Sequence, residues 1–207
     1  VAEGLMSGTG NYRFEPDTKL TRAMLVALLY RCSGDDLGDN WKKTSQFTDV
    51  KADKYYAEAV EWAYRNDIVS GYSAKIFRPD GNITRQEMCK VIDGYLSYRG
   101  CALERGGSCK KLFSDYKKIG SWALSSVEAM VAAGLISGSD GKMNPGGNAT
   151  RAEVASVLAR MLAYEESVTP EPEPTVPSTP DPTEPAEPTT EPTTAPTEAP
   201  TEPPVET

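Results

Sequence analysis

An all-α fold of three helix-loop-helix units around a pseudo-threefold axis is predicted by three observations. One segment recurs three times: SGTGNYRFEPDTKLTR (Ser7 to Arg22), SGYSAKIFRPDGNITR (Ser70 to Arg85) and SGSDGKMNPGGNATR (Ser137 to Arg151). Each copy opens an apolar run of helical spacing, and in the second and third copies another such run precedes it. Units of this size cannot bury their apolar faces alone, so the copies must pack on one another. Thr21, Thr84 and Thr150 lie 63 and 66 residues apart, and Val1 to Gly8 reads against Val131 to Gly138. The copies are therefore assigned to residues 1–34, 47–98 and 113–164, the first lacking its first helix, with a tail over 165–207.

In the second copy FTDV (Phe47 to Val50) leads into a helix with Tyr55, Ala59, Trp62 and Ala63 on one face. In the third, FSDY (Phe113 to Tyr116) precedes Trp122, Ser126, Val127 and Met130 in the same register, with Tyr55 and Trp122 equivalent. These first helices are expected to end at Ser70-Gly71 and Ser137-Gly138, where glycine tolerates the backbone angles of a helix exit. A loop with one proline follows in every copy (Pro16, Pro79, Pro145). It ends at Thr21, Thr84 or Thr150, each placed to cap a second helix. Glu87 and Glu153 complete capping boxes three residues on, whereas Met24 breaks the box in the first copy. The second helices carry Leu25, Leu28 and Leu29, then Met88, Val91 and Ile92, then Val154, Val157, Leu158 and Met161 as inner faces. Without a first helix in copy one, apolar surface around Leu25 and Leu28 is expected to be exposed.

After each capping threonine stands an arginine: Arg22, Arg85 and Arg151. A cation in the first turn opposes the helix dipole, a penalty of roughly 0.3 to 1 kcal/mol at an exposed site. An anion there would reverse the sign, because free amides, the dipole and a forked guanidinium would converge on one carboxylate or phosphate. The competing reading is that each arginine pairs with an acidic residue of the neighbouring copy as a staple between repeats. Tyr72 follows the Ser-Gly turn and offers a face for a sugar. Phe14 and Phe77 read as core, as do Trp62 and Trp122, although an indole at a groove rim can also stack on a pyranose.

The net charge of −8 belongs to the tail, where 165–207 hold thirteen Pro, eleven Thr, eleven acidic residues and no Lys or Arg. Such a segment has almost nothing apolar to bury and reads as a disordered, extended polyproline-type spacer. Its composition resembles the stalks of surface proteins and points to an exported protein. The rest of the chain is only slightly basic, which argues against a nucleic-acid face. No apolar run is long enough to cross a bilayer. Cys32, Cys89, Cys101 and Cys109 allow three pairings; Cys101 and Cys109 bracket a glycine-bearing loop suited to a disulfide, and free thiols fit equally well. With no His and no CxxC, zinc is not expected, nor is any cofactor. Ser139-Asp140-Gly141 lacks a calcium-loop ligand set and reads as a turn.

With the FTDV start, the Ser-Gly loop and the Thr-Arg helix start in place, the chain resembles a tandem of S-layer homology domains over residues 1–164. The family's Thr-Arg-Ala-Glu motif is complete at Thr150 to Glu153 and one substitution away at Thr84 to Glu87 (TRQE) and Thr21 to Met24 (TRAM). The resemblance implies a three-pronged helical domain whose inter-repeat grooves hold a secondary cell-wall polysaccharide, often through a pyruvate ketal, attaching the protein non-covalently to a bacterial wall. Carried over to this chain, the ligand-binding candidates are Arg22, Arg85 and Arg151, Thr21, Thr84 and Thr150, Gly71, Tyr72, Gly138 and Trp122. The partner is then pyruvylated polysaccharide, and cargo domains lie outside this chain. The alternatives are a protein–protein scaffold at the cell surface or an accessory domain of a glycan-active enzyme. An enzyme is disfavoured, because Asp49 and Asp115 recur with the repeat, as do Glu87 and Glu153, and no nucleophile motif is present.

Overall fold

The computed structural model describes residues 14–38, 41 and 46–169. They contain five helices: α1 (Arg22–Ser33), α2 (Ala57–Arg65), α3 (Arg85–Tyr98), α4 (Ser121–Ala132) and α5 (Arg151–Val168). Among the described residues β pairing is confined to isolated bridges. Three of those bridges link successive copies, Thr21 with Asn82, Thr84 with Asn148 and Lys19 with Thr150. They surround a closed ring of backbone hydrogen bonds. Ile83 N–H donates to Leu20 (2.9 Å), Ala149 N–H to Ile83 (2.9 Å) and Leu20 N–H to Ala149 (3.0 Å). This ring is the pseudo-threefold axis, and α1, α3 and α5 start from it.

Among the described residues the second helices of the first two copies cover their apolar faces with the first helix of the next copy: α1 packs on α2 and α3 on α4. That arrangement corrects the expectation for α1, since Leu25 and Leu28 are buried beneath the neighbouring copy. Leu29, Trp62, Met88, Ile92, Val127, Met130, Val154 and Met161 continue one shared core. The capping boxes form at Thr84 and Thr150, while Thr21 accepts only the Met24 amide, as the broken motif predicts.

The first helices depart from expectation at both ends. α2 begins at Ala57, so Tyr55 lies outside it, and α4 turns Trp122 outward; both are exposed, Trp122 to 54%, rather than core. The inward positions are taken by Ala57, Val60 and Trp62 and by Ala123, Val127 and Met130. The helices stop before the Ser-Gly pairs, at a left-handed residue, Asp67 (φ 57°) or Gly134 (φ 69°), after which Ile68 and Leu135 amides turn back to Ala63 and Met130 carbonyls. Phe77 is buried against Phe47, whereas Phe14 is partly exposed. α5 continues through residues 165–168, beyond the assigned start of the tail.

The connections between copies are fastened by buried or half-buried carboxylates. Asp35 accepts the Trp62 indole N–H (2.7 Å) and the Tyr98 hydroxyl (2.6 Å). Asp93 takes a bidentate Arg105 (2.8 and 3.0 Å) from the loop after α3 and the Ser126 hydroxyl (2.7 Å) from α4. The four cysteines are free thiols, and burial pushes Cys89 up to about 12. No helix among the described residues is long and apolar enough to cross a membrane. The match over Val1 to Gly8 and the tail beyond Thr169 lie outside the described residues.

Candidate functional site

The amides at the helix starts are not free. Arg22 N–H donates to Gly81 O (2.9 Å) and Ala23 N–H to Pro79 O (3.1 Å); Arg85 and Gln86 do the same to Gly147 and Pro145, and Arg151 and Ala152 to Thr18 and Pro16. The third amide of each first turn goes to the capping threonine. Thr21, Thr84 and Thr150 thus serve as caps, and the loop of the next copy fills the donors that an anion was expected to meet.

The arginine side chains follow the same cyclic rule and reach into the next copy. Arg85 donates Nε to Met143 O (2.8 Å), Nη2 to Ser137 O (2.9 Å) and Nη1 to Glu153 (2.6 Å). Arg22 repeats this with Phe77 O (3.1 Å), Ser70 O (3.4 Å) and Glu87 (3.4 Å). Arg151 Nε donates to Phe14 O (2.9 Å), the position equivalent to Phe77 and Met143. At that third junction Met24 stands where the other two have a glutamate. Arg22 and Arg85 therefore act as staples. A guanidinium has five N–H donors, so each of them keeps two that these contacts do not use.

Gly71 and Gly138 hold the loops against the ring of FTDV or FSDY. A Cβ on Gly71 would come within 2.6 Å of both Ile76 O and the Phe47 ring, and one on Gly138 within 2.5 Å of the Phe113 ring and closer still to Lys142 O. Asp49 and Asp115 fix the far end of each loop by accepting two consecutive amides, from Phe77 and Arg78 or from Met143 and Asn144. Those amides precede Pro79 and Pro145. Arg78 and Asn144 adopt φ of 60° and 51°, with Glu15 at 50° in the first copy, so the same left-handed residue before proline recurs at all three loops.

An open groove of about 880 Å³ lies at the second junction, between Arg85, the third-copy loop and the first half of α5. Gly138 and Ser139 form part of its wall, and Ser156 and Arg160 extend it along α5 from Glu153. Four cationic side chains face it, Arg85, Lys118, Lys142 and Arg160, against two carboxylates, Asp115 and Glu153. Both carboxylates are already engaged, Asp115 by loop amides and Glu153 by Arg85 and the Thr150 cap. Arg160 is steadied by the Leu135 carbonyl (3.3 Å). Of the sequence-derived candidates, this groove gathers Arg85 and Gly138; Arg22, Gly71 and Tyr72 meet at the first junction, and Trp122 does not line the groove. Lys118, Lys142 and Arg160 escaped the sequence reading. Arg160 was accessible in principle, because Glu153, Ser156 and Arg160 form a stripe at helical spacing. Lys118 ends a short 3-10 turn and Lys142 sits in the third-copy loop, and their approach to the groove is defined only by folding.

At the first junction Glu87 is the most heavily bonded carboxylate. Burial alone would raise its pKa, yet the Tyr72 hydroxyl, the Thr84 amide and hydroxyl and the Arg22 charge together bring it below the ordinary value of 4.5. A carboxylate lowered on folding stabilises above its unfolded value and loses that contribution as pH falls through the folded one. Stability measured by circular dichroism is therefore expected to fall as pH drops below 4.5. Glu87→Gln should flatten that slope, and an unchanged slope would assign the acid sensitivity elsewhere.

A family model for the S-layer homology domain matches residues 1–23, 46–89 and 112–155. The surface-layer 125 kDa protein of Lysinibacillus sphaericus is 33% identical over 172 residues, covering 78% of this chain and 13% of that protein. An amylopullulanase of Thermoanaerobacterium thermosulfurigenes is 32% identical over 160 residues, 76% of this chain and 8% of its own length. A cellulosome-anchoring protein of Acetivibrio thermocellus is 30% identical over 151 residues, 72% and 33% respectively. The chain spans at most a third of the length of these relatives. Three matched copies, joined by a threefold ring and by arginines that staple successive repeats, lead to one assignment: the chain belongs to the S-layer homology domain family of bacterial cell-surface proteins.

Proposed function

We propose that this chain is a non-covalent anchoring module that holds anionic secondary cell-wall polysaccharide, bearing pyruvyl carboxylates, in the groove at the second junction. The observation that carries the reading is the groove itself, where the exposed cations Lys118, Lys142 and Arg160 line solvent space beside the Arg85–Glu153 pair, and Asp115 is held by loop amides. The anion is met by side-chain donors instead of helix-start amides. The two unused N–H groups of Arg85, the ammonium groups of Lys118 and Lys142 and the Arg160 guanidinium supply the charge, and Gly138 and Ser139 let a sugar ring approach the backbone. Arg151 and Thr150 shape the third junction and Trp122 offers an outer aromatic face. The module binds and does not cleave; cargo domains belong to the longer protein. Similarity to a surface-layer protein and a cellulosome-anchoring protein supports anchoring as the role.

The test is retention of the chain on purified wall sacculi before and after removal of ketal pyruvate. Binding is expected to vanish on depyruvylation and to weaken with added salt, as screened charges require. Lys142→Ala with Arg160→Ala is expected to weaken binding by about tenfold or more, the loss of roughly 1.4 kcal/mol. Retention on depyruvylated sacculi would remove pyruvate from the reading, and retention by polymer-free surface protein would favour a scaffold.

A further inference from the structure

The first and second junctions share the arginine–glutamate staple and differ in the loop beside it, which is one residue longer from Gly71 to Phe77 than from Gly138 to Met143. Ser73 bridges Ile76 as Ser139 bridges Lys142, and the loop at the first junction carries Tyr72 as an additional residue between its glycine and that bridge. At the first junction the Tyr72 hydroxyl donates to Glu87, and its ring lies beneath two guanidinium groups, Arg22 at 4.8 Å and Arg78 at 4.3 Å from the centroid. The ring thereby occupies the space above the arginine–glutamate pair that stays open in the second groove. Exposure of the two glutamates follows: the Glu87 side chain is 11% exposed and that of Glu153 is 39%. The arginines are buried alike, so the difference arises on the solvent side of the pair. Arg78 adds a second hold on the ring, and its counterpart in the third copy is Asn144, which carries no charge.

We infer that Tyr72 is a specificity-determining plug that closes the first junction to polymer, leaving the Ser139 groove as the one of the two that accepts it. This rests on the proposed anchoring role. The plug uses interactions that an incoming acidic sugar would need for itself: a polar contact at the glutamate and a face against paired guanidinium groups. A polymer entering the first junction must first displace a phenol held at both ends. At the second no aromatic ring is among the residues that line the groove.

The experiment is calorimetric titration of the full chain with a purified pyruvylated wall-polymer fragment, for wild type, Tyr72→Ser, Tyr72→Phe and Ser139→Tyr. Tyr72→Ser is expected to add one binding site per chain, and Ser139→Tyr to remove one or weaken it at least tenfold. Tyr72→Phe keeps the ring and should leave the number of sites unchanged. If Tyr72→Ser weakens binding, Tyr72 is a stacking platform and the plug is wrong; an unchanged site count in both Tyr72→Ser and Ser139→Tyr overturns it as well. Failure of the wild type to bind at all would instead bring down the anchoring role on which the inference stands. Thermal melts of the four proteins separate a lost site from a lost fold.

Discussion

Gly138→Ala is expected to lower the melting temperature by roughly 6 to 12 °C, the effect of about 3 kcal/mol in a domain of this size. The added methyl would meet a backbone carbonyl at Lys142 and the Phe113 ring, and neither is the loose end of a flexible side chain. The loop must shift, and with it Met143 O and Ser137 O, two of the three contacts that seat Arg85. Gly71→Ala repeats the experiment against Ile76 O and Phe47. Gly146→Ala is the control within the same loop, since a Cβ there meets nothing within 4 Å and its φ is not positive, and it should melt within about 0.5 kcal/mol of wild type. Melting curves of the three variants decide the matter. Equal melting of Gly138→Ala and Gly146→Ala would show that the loop yields without strain.

Glu87→Ala is expected to destabilise the chain by about 3 kcal/mol or more, because it leaves the Arg22 guanidinium buried without its carboxylate. Arg22 and Glu87 side chains are 7% and 11% exposed, so water cannot readily replace the lost partner. The same substitution deletes the capping box and the acceptor of the Tyr72 hydroxyl. Glu153→Ala is expected to cost less, since the Glu153 side chain is 39% exposed and the freed Arg85 can be hydrated from the groove. Urea denaturation of both variants measures the ranking. A larger loss for Glu153→Ala would mean that solvent access does not set the strength of these staples.

The arginines make contacts that no single copy contains. In each junction the helix-start amides, the guanidinium and the loop carbonyls come from two copies, so their mutual satisfaction depends on the threefold packing. Reading Arg22 or Arg85 along the chain shows only a cation at the wrong end of a dipole. The structure shows why it is tolerated: carbonyls and a glutamate of the next copy surround it. The same reasoning explains Leu25 and Leu28. Their cover was sought within their own copy, yet it comes from α2 of the following one. Trp122 is apolar yet exposed, because it stands in the first turn of α4, where a slight shift in the helix start turns a side chain outward.

Repetition, threonine caps and apolar periodicity by themselves determined the helical class, the order of the helices and the threefold plan, since all of these are consequences of local backbone preferences and of copying one unit. The family motif did the same for the identity of the module. How the first two junctions differ was decided only by tertiary structure. At the first a phenol stands over an arginine–glutamate pair assembled from two copies, and at the second the corresponding pair borders a groove with Lys118 and Lys142 at its wall. Those distances arise from packing between copies, and spacing along the chain does not encode them.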